Sequence, residues 1–279
     1  MQQRNFGNTN RPVAVIGQGS WQMEVSGTAD AIAALRAGLD LGLTHIDTAE
    51  MYGAGASERV IAAAIHGRRD EVFLVSKILP TNASARGTRK ACEQSLQNLG
   101  TDRLDCYLLH WRGSYPLTAT ITAFEALKRD GKILSWGVSN FNVADLEEVT
   151  AIAGAPACNQ VLYHVGERAI EHTVIPWCEA HGTAVVAYTP FGQSAALYDP
   201  TTSGGRVLQQ IAAAHGATAR QVALRFLLRS PSVFVIPKAA RLKHVKENAA
   251  ADCFELGATD TAALEAAFKR GPPRDLPMN

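Results

Sequence analysis

Thr44-His45-Ile46-Asp47-Thr48-Ala49-Glu50-Met51-Tyr52-Gly53 reads as a short strand over 44–46 that ends on an acid and passes at once into a turn bearing a tyrosine. The same kind of ending recurs down the chain. Asp47, Lys77, His110, Ser139 with Asn140, Gln160, Tyr188 and Lys238 each stand at or just past the C-terminal end of a predicted strand. The steps from 47 to 77, 77 to 110 and 110 to 139 are 30, 33 and 29 residues, one strand–helix unit apiece.

Working outward, strands are predicted over 13–16, 44–46, 72–76, 104–109, 133–138, 157–161, 183–187 and 233–236. Helices are predicted over 29–41, 57–66, 85–99, 119–130, 143–151, 171–181 and 218–229, each with apolar residues every three or four positions. Gly42, Gly100, Gly131 and Gly182 stand where helices should stop. Such alternation builds either a doubly wound sheet or a closed barrel. The polar strand ends favour the barrel, because its strand ends share one rim and bring residues from the whole chain together. No stretch reads as a linker, so the expected fold is one α/β domain over 1–279, a (β/α)8 TIM barrel. The long gap between Tyr188 and Ile236 leaves an insert, 193–215, expected to overhang the rim as a lid or clasp.

Composition narrows the function. Lys and Arg number 27 against 26 Asp and Glu, a net charge of +1, which argues against nucleic acid or an anionic membrane as partner. Residues 1–10 are polar and no apolar run nears the roughly 18 residues of a membrane span, so the expected compartment is the cytoplasm. Five cysteines without a C-x-x-C pair fit reduced core thiols, with one reactive exposed thiol as the lesser alternative. A closed barrel has no sheet edge to pair and no heptad is present, so a monomer acting on a small molecule is expected.

Gly17-Gln18-Gly19-Ser20-Trp21-Gln22 has two glycines of a dinucleotide fingerprint and lacks the third. Walker, H-E-x-x-H, EF-hand and G-x-S-x-G patterns are absent from the sequence. What remains is Asp47, Tyr52, Lys77 and His110. A carbonyl that accepts hydride becomes an alkoxide and needs a proton in or near the same step. Tyr52 can supply it: free tyrosine has a pKa of about 10, and a neighbouring ammonium, Lys77, is expected to lower that value. Asp47 would hold Lys77 charged and oriented, while a neutral His110 hydrogen-bonds the carbonyl oxygen. This set calls for no metal. Taken singly, the four have plain explanations as a turn cap, a packing aromatic, a solvated strand end and a core histidine. Together at one rim, they favour catalysis. An isomerase or aldolase barrel is a rival at the level of fold, but the loops after strands seven and eight lack glycine-rich phosphate turns.

At these residues the chain resembles the aldo-keto reductases, (α/β)8 barrels that use a nicotinamide cofactor without a Rossmann domain, over about residues 6–260. It looks most like small bacterial members that reduce aldehydes such as methylglyoxal. The resemblance implies a catalytic tetrad of Asp47, Tyr52, Lys77 and His110, and NADPH as cofactor, with NADH as the alternative. It assigns Ser139, Asn140 and Gln160 to the carboxamide, Tyr188 to stacking beneath the nicotinamide, and hydride transfer from the pro-R face. Gly19, Ser20, Asp47, Thr189, Pro190, Phe191 and Gly192 are also placed along the cofactor. Ile236, Lys238, His244, Glu247 and Asn248 are placed at its adenosine end. Two positions depart from the pattern: Ala239 stands where Ser or Thr is frequent, and His244 where many NADP-selective members carry Arg. Trp21, Met51 and Trp111, with Tyr52 and His110, are expected to wall the substrate pocket, and a short tail, 271–279, is expected to leave it open to small aldehydes. Reduction of sugars, keto acids or ketones, the reverse dehydrogenation, and a non-catalytic NADP sensor are the competing functions.

Overall fold

The computed structural model describes residues 1–278. Its first strands, β1 (Gln3–Asn5) and β2 (Pro12–Ala14), form an antiparallel hairpin. Eight further strands follow: β3 (Gln18–Gly19), β4 (His45–Asp47), β5 (Phe73–Ile78), β6 (Cys106–Leu109), β7 (Trp136–Ser139), β8 (Cys158–Leu162), β9 (Ala184–Tyr188) and β10 (Val233–Val235). They pair in chain order, all parallel. The ends of that series also meet. Gly17 N donates to Val235 O at 2.8 Å, Val235 N to Val15 O at 2.9 Å and Gly19 N to Pro237 O at 3.2 Å, which closes the sheet into a barrel. A Cβ on Gly19 would lie 2.6 Å from Ile236 O, so only glycine lets the two chains come this close.

Helices α1 (Thr28–Asp40), α2 (Ala56–Ile65), α3 (Ala85–Leu99), α4 (Leu117–Arg129), α5 (Val143–Ala153), α6 (Val174–Ala180), α7 (Ser203–Ala214), α8 (Ala219–Leu227), α9 (Leu242–Ala250) and α10 (Ala258–Ala267) surround the strands. The architecture is the expected α/β barrel. Gly42, Gly100, Gly131 and Gly182 all have φ between 61° and 84°, the left-handed conformation of a helix stop.

Two expectations change. The run 13–16 is not the first barrel strand: its first half pairs with β1, and only Val15 and Ile16 reach β10. Val13, Val15 and Ile16 are buried on both counts, and periodicity cannot tell a buried plug from a buried barrel strand. Beneath the barrel, the Phe6 ring packs on Phe73 at 4.7 Å, Phe234 at 5.1 Å and His45 at 5.7 Å, centroid to centroid. The insert 193–215 is the second change. Its latter half is α7, whose Leu208, Ile211 and Ala212 are buried, so it belongs to the outer helical layer. Only the loop 193–202, with a short 3-10 turn at Ala195–Tyr198, remains free to face the rim.

Candidate functional site

Asp47 ends β4, and Lys77 lies one residue before the end of β5. Tyr52 enters a 3-10 turn, Tyr52–Gly55, and His110 follows β6 directly. Strand pairing sets Asp47 beside Val75, so the Lys77 side chain reaches back across to it. Lys77 Nζ donates to Asp47 Oδ1 at 2.5 Å, to the Thr48 carbonyl at 2.8 Å and to Tyr52 Oη at 3.3 Å. The His110 and Tyr52 rings meet edge to face at 5.9 Å. Four residues spread over 64 positions of sequence therefore form one cluster.

The cluster is dry, which sets its electrostatics. Lys77 is fully buried and Asp47 nearly so. Burial works to lower the Lys77 ammonium, but the Asp47 charge and Tyr52 outweigh it and hold it above its ordinary value. Burial pushes the Asp47 carboxyl up, against the pull of Lys77 and of Gln160, whose Nε2 donates to Oδ2 at 2.7 Å. Burial first, and Lys77 second, depress His110 to about 3, so its imidazole is neutral at physiological pH. Its Nδ1 is buried without a partner. Tyr52 departs from expectation: burial raises the phenol, and Lys77 offsets only part of the rise. The low-dielectric site that strengthens the ammonium's pull also penalises tyrosinate more.

Beside this cluster runs a chain of polar side chains from β7, β8 and β9. Ser139 Oγ donates to the Gln160 carbonyl at 2.9 Å. Asn140 Nδ2 donates to the His110 carbonyl and to Ser139 Oγ, each at 3.1 Å, and Tyr188 Oη donates to Asn140 Oδ1 at 2.9 Å. Asn140 has φ 60° and Thr189 φ 51°, left-handed positions just past the ends of β7 and β9. Pro190 is buried, while Phe191 and Gly192 are half-buried, with Arg220 over the Phe191 ring at 5.2 Å.

Gly19, the strand partner of Asp47, and Ser20 are buried, and Ser20 Oγ has no partner. Ile236 and Asn248 are buried, and Lys238 is exposed, its Nζ donating to Ser26 Oγ at 3.1 Å. His244 Nδ1 lies 3.0 Å from Glu247 Oε2. Trp21 and Met51 are exposed and Trp111 is half-buried, with its ring 4.8 Å from His110. A cleft of about 540 Å3 opens beside Trp111, lined by Asn140, Val143, Ile170, Leu276 and Met278 among others. It touches neither Tyr52 nor Lys77, so the hydrogen-bonded cluster, not this cleft, marks the chemistry. The tail, short as it is, reaches this cleft; Asn279 lies outside the described residues.

Some participants carried no separate signal in the sequence. The Thr48 carbonyl and Ser26 hydroxyl act through position alone. Glu50 Oε1 accepts from Leu79 N at 2.6 Å and Asn82 Nδ2 at 3.0 Å, tying the turn that carries Tyr52 to the loop after Lys77. The residues present fit a nicotinamide dinucleotide. An amide-lined row beside the cluster suits a carboxamide, and Ser20 Oγ, buried without a partner, lies at the glycine-opened end of the same rim.

A parallel barrel with an acid, a lysine, a tyrosine and a histidine at one rim defines a class of carbonyl-handling oxidoreductases. The chain belongs to the aldo/keto reductase family, whose profile matches residues 15–269. It is 45% identical over 257 residues to the methylglyoxal reductase YeaE of Escherichia coli (strain K12), covering 91% of this chain and 90% of that protein. It is 34% identical to the glyoxal reductase of Bacillus subtilis (strain 168), covering 86% and 84%. Among solved structures, an aldo/keto reductase from Klebsiella pneumoniae in complex with NADP and acetate superimposes with a TM-score of 0.91 at 41% identity, covering all of both chains. An aldo-keto reductase from the same organism in complex with NADPH gives a TM-score of 0.92, again at 41% identity, covering 100% of this chain and 99% of that one.

Proposed function

We propose that the protein reduces small aldehydes and dicarbonyls of the methylglyoxal type to alcohols with NADPH, and that Tyr52 is the proton donor. The observation that carries this is the bonding of Lys77 Nζ to both Asp47 and Tyr52 beside a neutral His110. Its similarity to a methylglyoxal reductase, a glyoxal reductase and an NADPH-bound structure supports the substrate class and the cofactor.

The nicotinamide, when bound, supplies a hydride to the carbonyl carbon. Tyr52 enters the reaction protonated, since burial holds its phenol up, and gives its proton from Oη to the carbonyl oxygen as charge develops there. Lys77 stabilises the tyrosinate left behind, and Asp47 keeps Lys77 charged and aimed. With Nδ1 of neutral His110 lacking a partner, its single N–H stands on Nε2 and donates to the substrate oxygen, fixing the angle of attack. Ser139, Asn140 and Gln160 would hold the carboxamide, and Tyr188 would back the ring.

The chain acts as one domain over 1–279, as a monomer in the cytoplasm. Among the described residues no helix is long and apolar enough to cross a membrane, and all five cysteines are free, four of them buried. The direct test follows nicotinamide absorbance with purified protein, NADPH and methylglyoxal. Turnover is expected, and Tyr52→Phe should lower kcat by about 100-fold or more while leaving NADPH binding intact. Tight NADPH binding with no oxidation across a panel of small aldehydes would refute the reductase reading.

A further inference from the structure

The turn that carries Tyr52 is strained. Gly53, Ala54 and Gly55 follow it with φ of 56°, 50° and 83°, three left-handed residues in succession, and Ala54 bears a side chain that this conformation disfavours. Within the turn, Tyr52 N donates to Ala49 O at 3.0 Å and Ala54 N to Met51 O at 3.3 Å, bonds that curl the chain without anchoring it to the barrel wall. Such a turn keeps its shape only where its surroundings over-determine it.

Glu50 supplies that support. Thr48 N donates to Val75 O at 2.9 Å and Glu50 N to Lys77 O at 3.2 Å, so the ladder between β4 and β5 runs on past the end of β4. There the side chain takes over, with Glu50 Oε1 accepting from Leu79 N at 2.6 Å and from Asn82 Nδ2 at 3.0 Å. Both donors are neutral and both lie in the loop after β5, so the position calls for an acceptor with reach rather than for a charge.

The segment that Glu50 holds also supports the other side of the site. His110 N donates to Ile78 O at 3.0 Å, and a Cβ on Gly113 would lie 2.5 Å from Pro80 Cβ, so the loop bearing His110 and Trp111 packs on residues 78–80. A shift of the 79–82 turn relative to residue 50 would therefore move Tyr52 against both Lys77 and His110. The bond from Lys77 to Tyr52, at 3.3 Å, is the longest of the three that Lys77 makes, so it has the least margin for drift.

We propose that Glu50 is a positioning residue for the reduction: by clamping the 79–82 turn to the turn of Tyr52, it keeps Tyr52 Oη within reach of Lys77 and holds Tyr52 and His110 aimed at one carbonyl oxygen. This rests on the reductase reading above and names the residue that sets the geometry of its proton donor.

A crossed set of variants tests it. Glu50→Asp keeps the charge and loses the reach, Glu50→Gln keeps the reach and loses the charge, and Glu50→Ala loses both. Each is compared with wild type by single-turnover hydride transfer from NADPH to methylglyoxal, by NADPH affinity from fluorescence quenching, by thermal melts, and by NMR of tyrosine labelled at Cζ. The Tyr52 resonance is the one missing in Tyr52→Phe. Glu50→Ala and Glu50→Asp should slow transfer by about 10- to 100-fold and shift the Tyr52 resonance, with NADPH affinity changed by less than about threefold. Glu50→Gln should stay within about threefold of wild type on every readout. Adding Glu50→Ala to Tyr52→Phe should slow transfer by less than about threefold further, because the proton donor that Glu50 positions is already gone. A wild-type rate in Glu50→Ala overturns the proposal, as does a Glu50→Gln as slow as Glu50→Ala or a full further loss in the double variant. Should Glu50→Ala fail to melt cooperatively, Glu50→Asp against Glu50→Gln decides by the same comparison. A wild type that oxidises no NADPH with any small aldehyde removes the reductase reading and this inference with it, whereas an active wild type with an unaffected Glu50→Ala removes this inference alone.

Discussion

Lys77 is a charged side chain with no access to water, and it survives there because three oxygens receive its protons. Lys77→Met therefore does two things. It removes the group that stabilises tyrosinate, and it leaves Asp47 buried with only Gln160, a loss of about 3–5 kcal/mol of stability by urea denaturation. Combining it with Asp47→Asn should cost less than the sum of the two, the signature of a coupled pair. His45 is the opposite case. Its ring lies fully buried among Phe6, Phe73 and Phe234 with both nitrogens unpartnered, and burial, then Lys77, lowers it to about 3. Because the folded value lies below the unfolded one, unfolding takes up a proton, so stability is intact above about 6.5 and falls as pH drops toward 3. His45→Leu is expected to reduce the slope of stability against pH between 6 and 4 by up to about 1.4 kcal/mol per unit, and to be neutral or stabilising at pH 8. An unchanged slope would show that His45 does not govern the acid limb.

The helices and strands were legible where local pattern decides them. α3 occupies 85–99 as its spacing predicts, and the glycine stops fall where left-handed backbone is needed. α9 and α10 went unpredicted: α10 buries only Leu264, so it shows almost no apolar stripe to read. The insert misled for a related reason. A helix in an insertion carries the same amphipathic pattern whether it covers a site or joins the outer layer, and only its neighbours distinguish the two. Leu208→Ala should thus behave as a core truncation, costing about 2–5 kcal/mol, whereas Gln209→Ala on the exposed side should stay within about 0.5. Near-zero loss at Leu208 would return α7 to the role of a lid.

Across the whole molecule, a second buried ionic group ties the segment after β8 to the C-terminal helices. Arg168 donates through Nε and Nη2 to Glu171 and through Nη1 to the Phe268 carbonyl, while Arg229 and Tyr163 also converge on Glu171. Although burial raises Glu171, these donors win and hold its carboxyl at about 2. A carboxylate depressed in this way stabilises the fold above about 4.5, and that contribution is lost as pH falls from there to 2. Arg168→Met should lower stability by about 3–5 kcal/mol at pH 7 and loosen the tail beyond Phe268, readable as faster proteolysis there.

The alternation of strands and helices and the chemistry of the strand ends were readable in the chain, because side-chain period and strand-end polarity are local properties. So was the grouping of Asp47, Tyr52, Lys77 and His110, once a barrel was assumed, since a barrel places all such ends on one rim. Contacts between distant segments decided the rest. Closure joins Gly17 and Gly19 to residues 235–237, and it reassigned the run 13–16 between plug and wall. Burial, which no single segment produces, raised Tyr52 where a nearby ammonium alone would lower it. Glu247 meets His244, because charge partnership depends on which side chains the fold brings within reach.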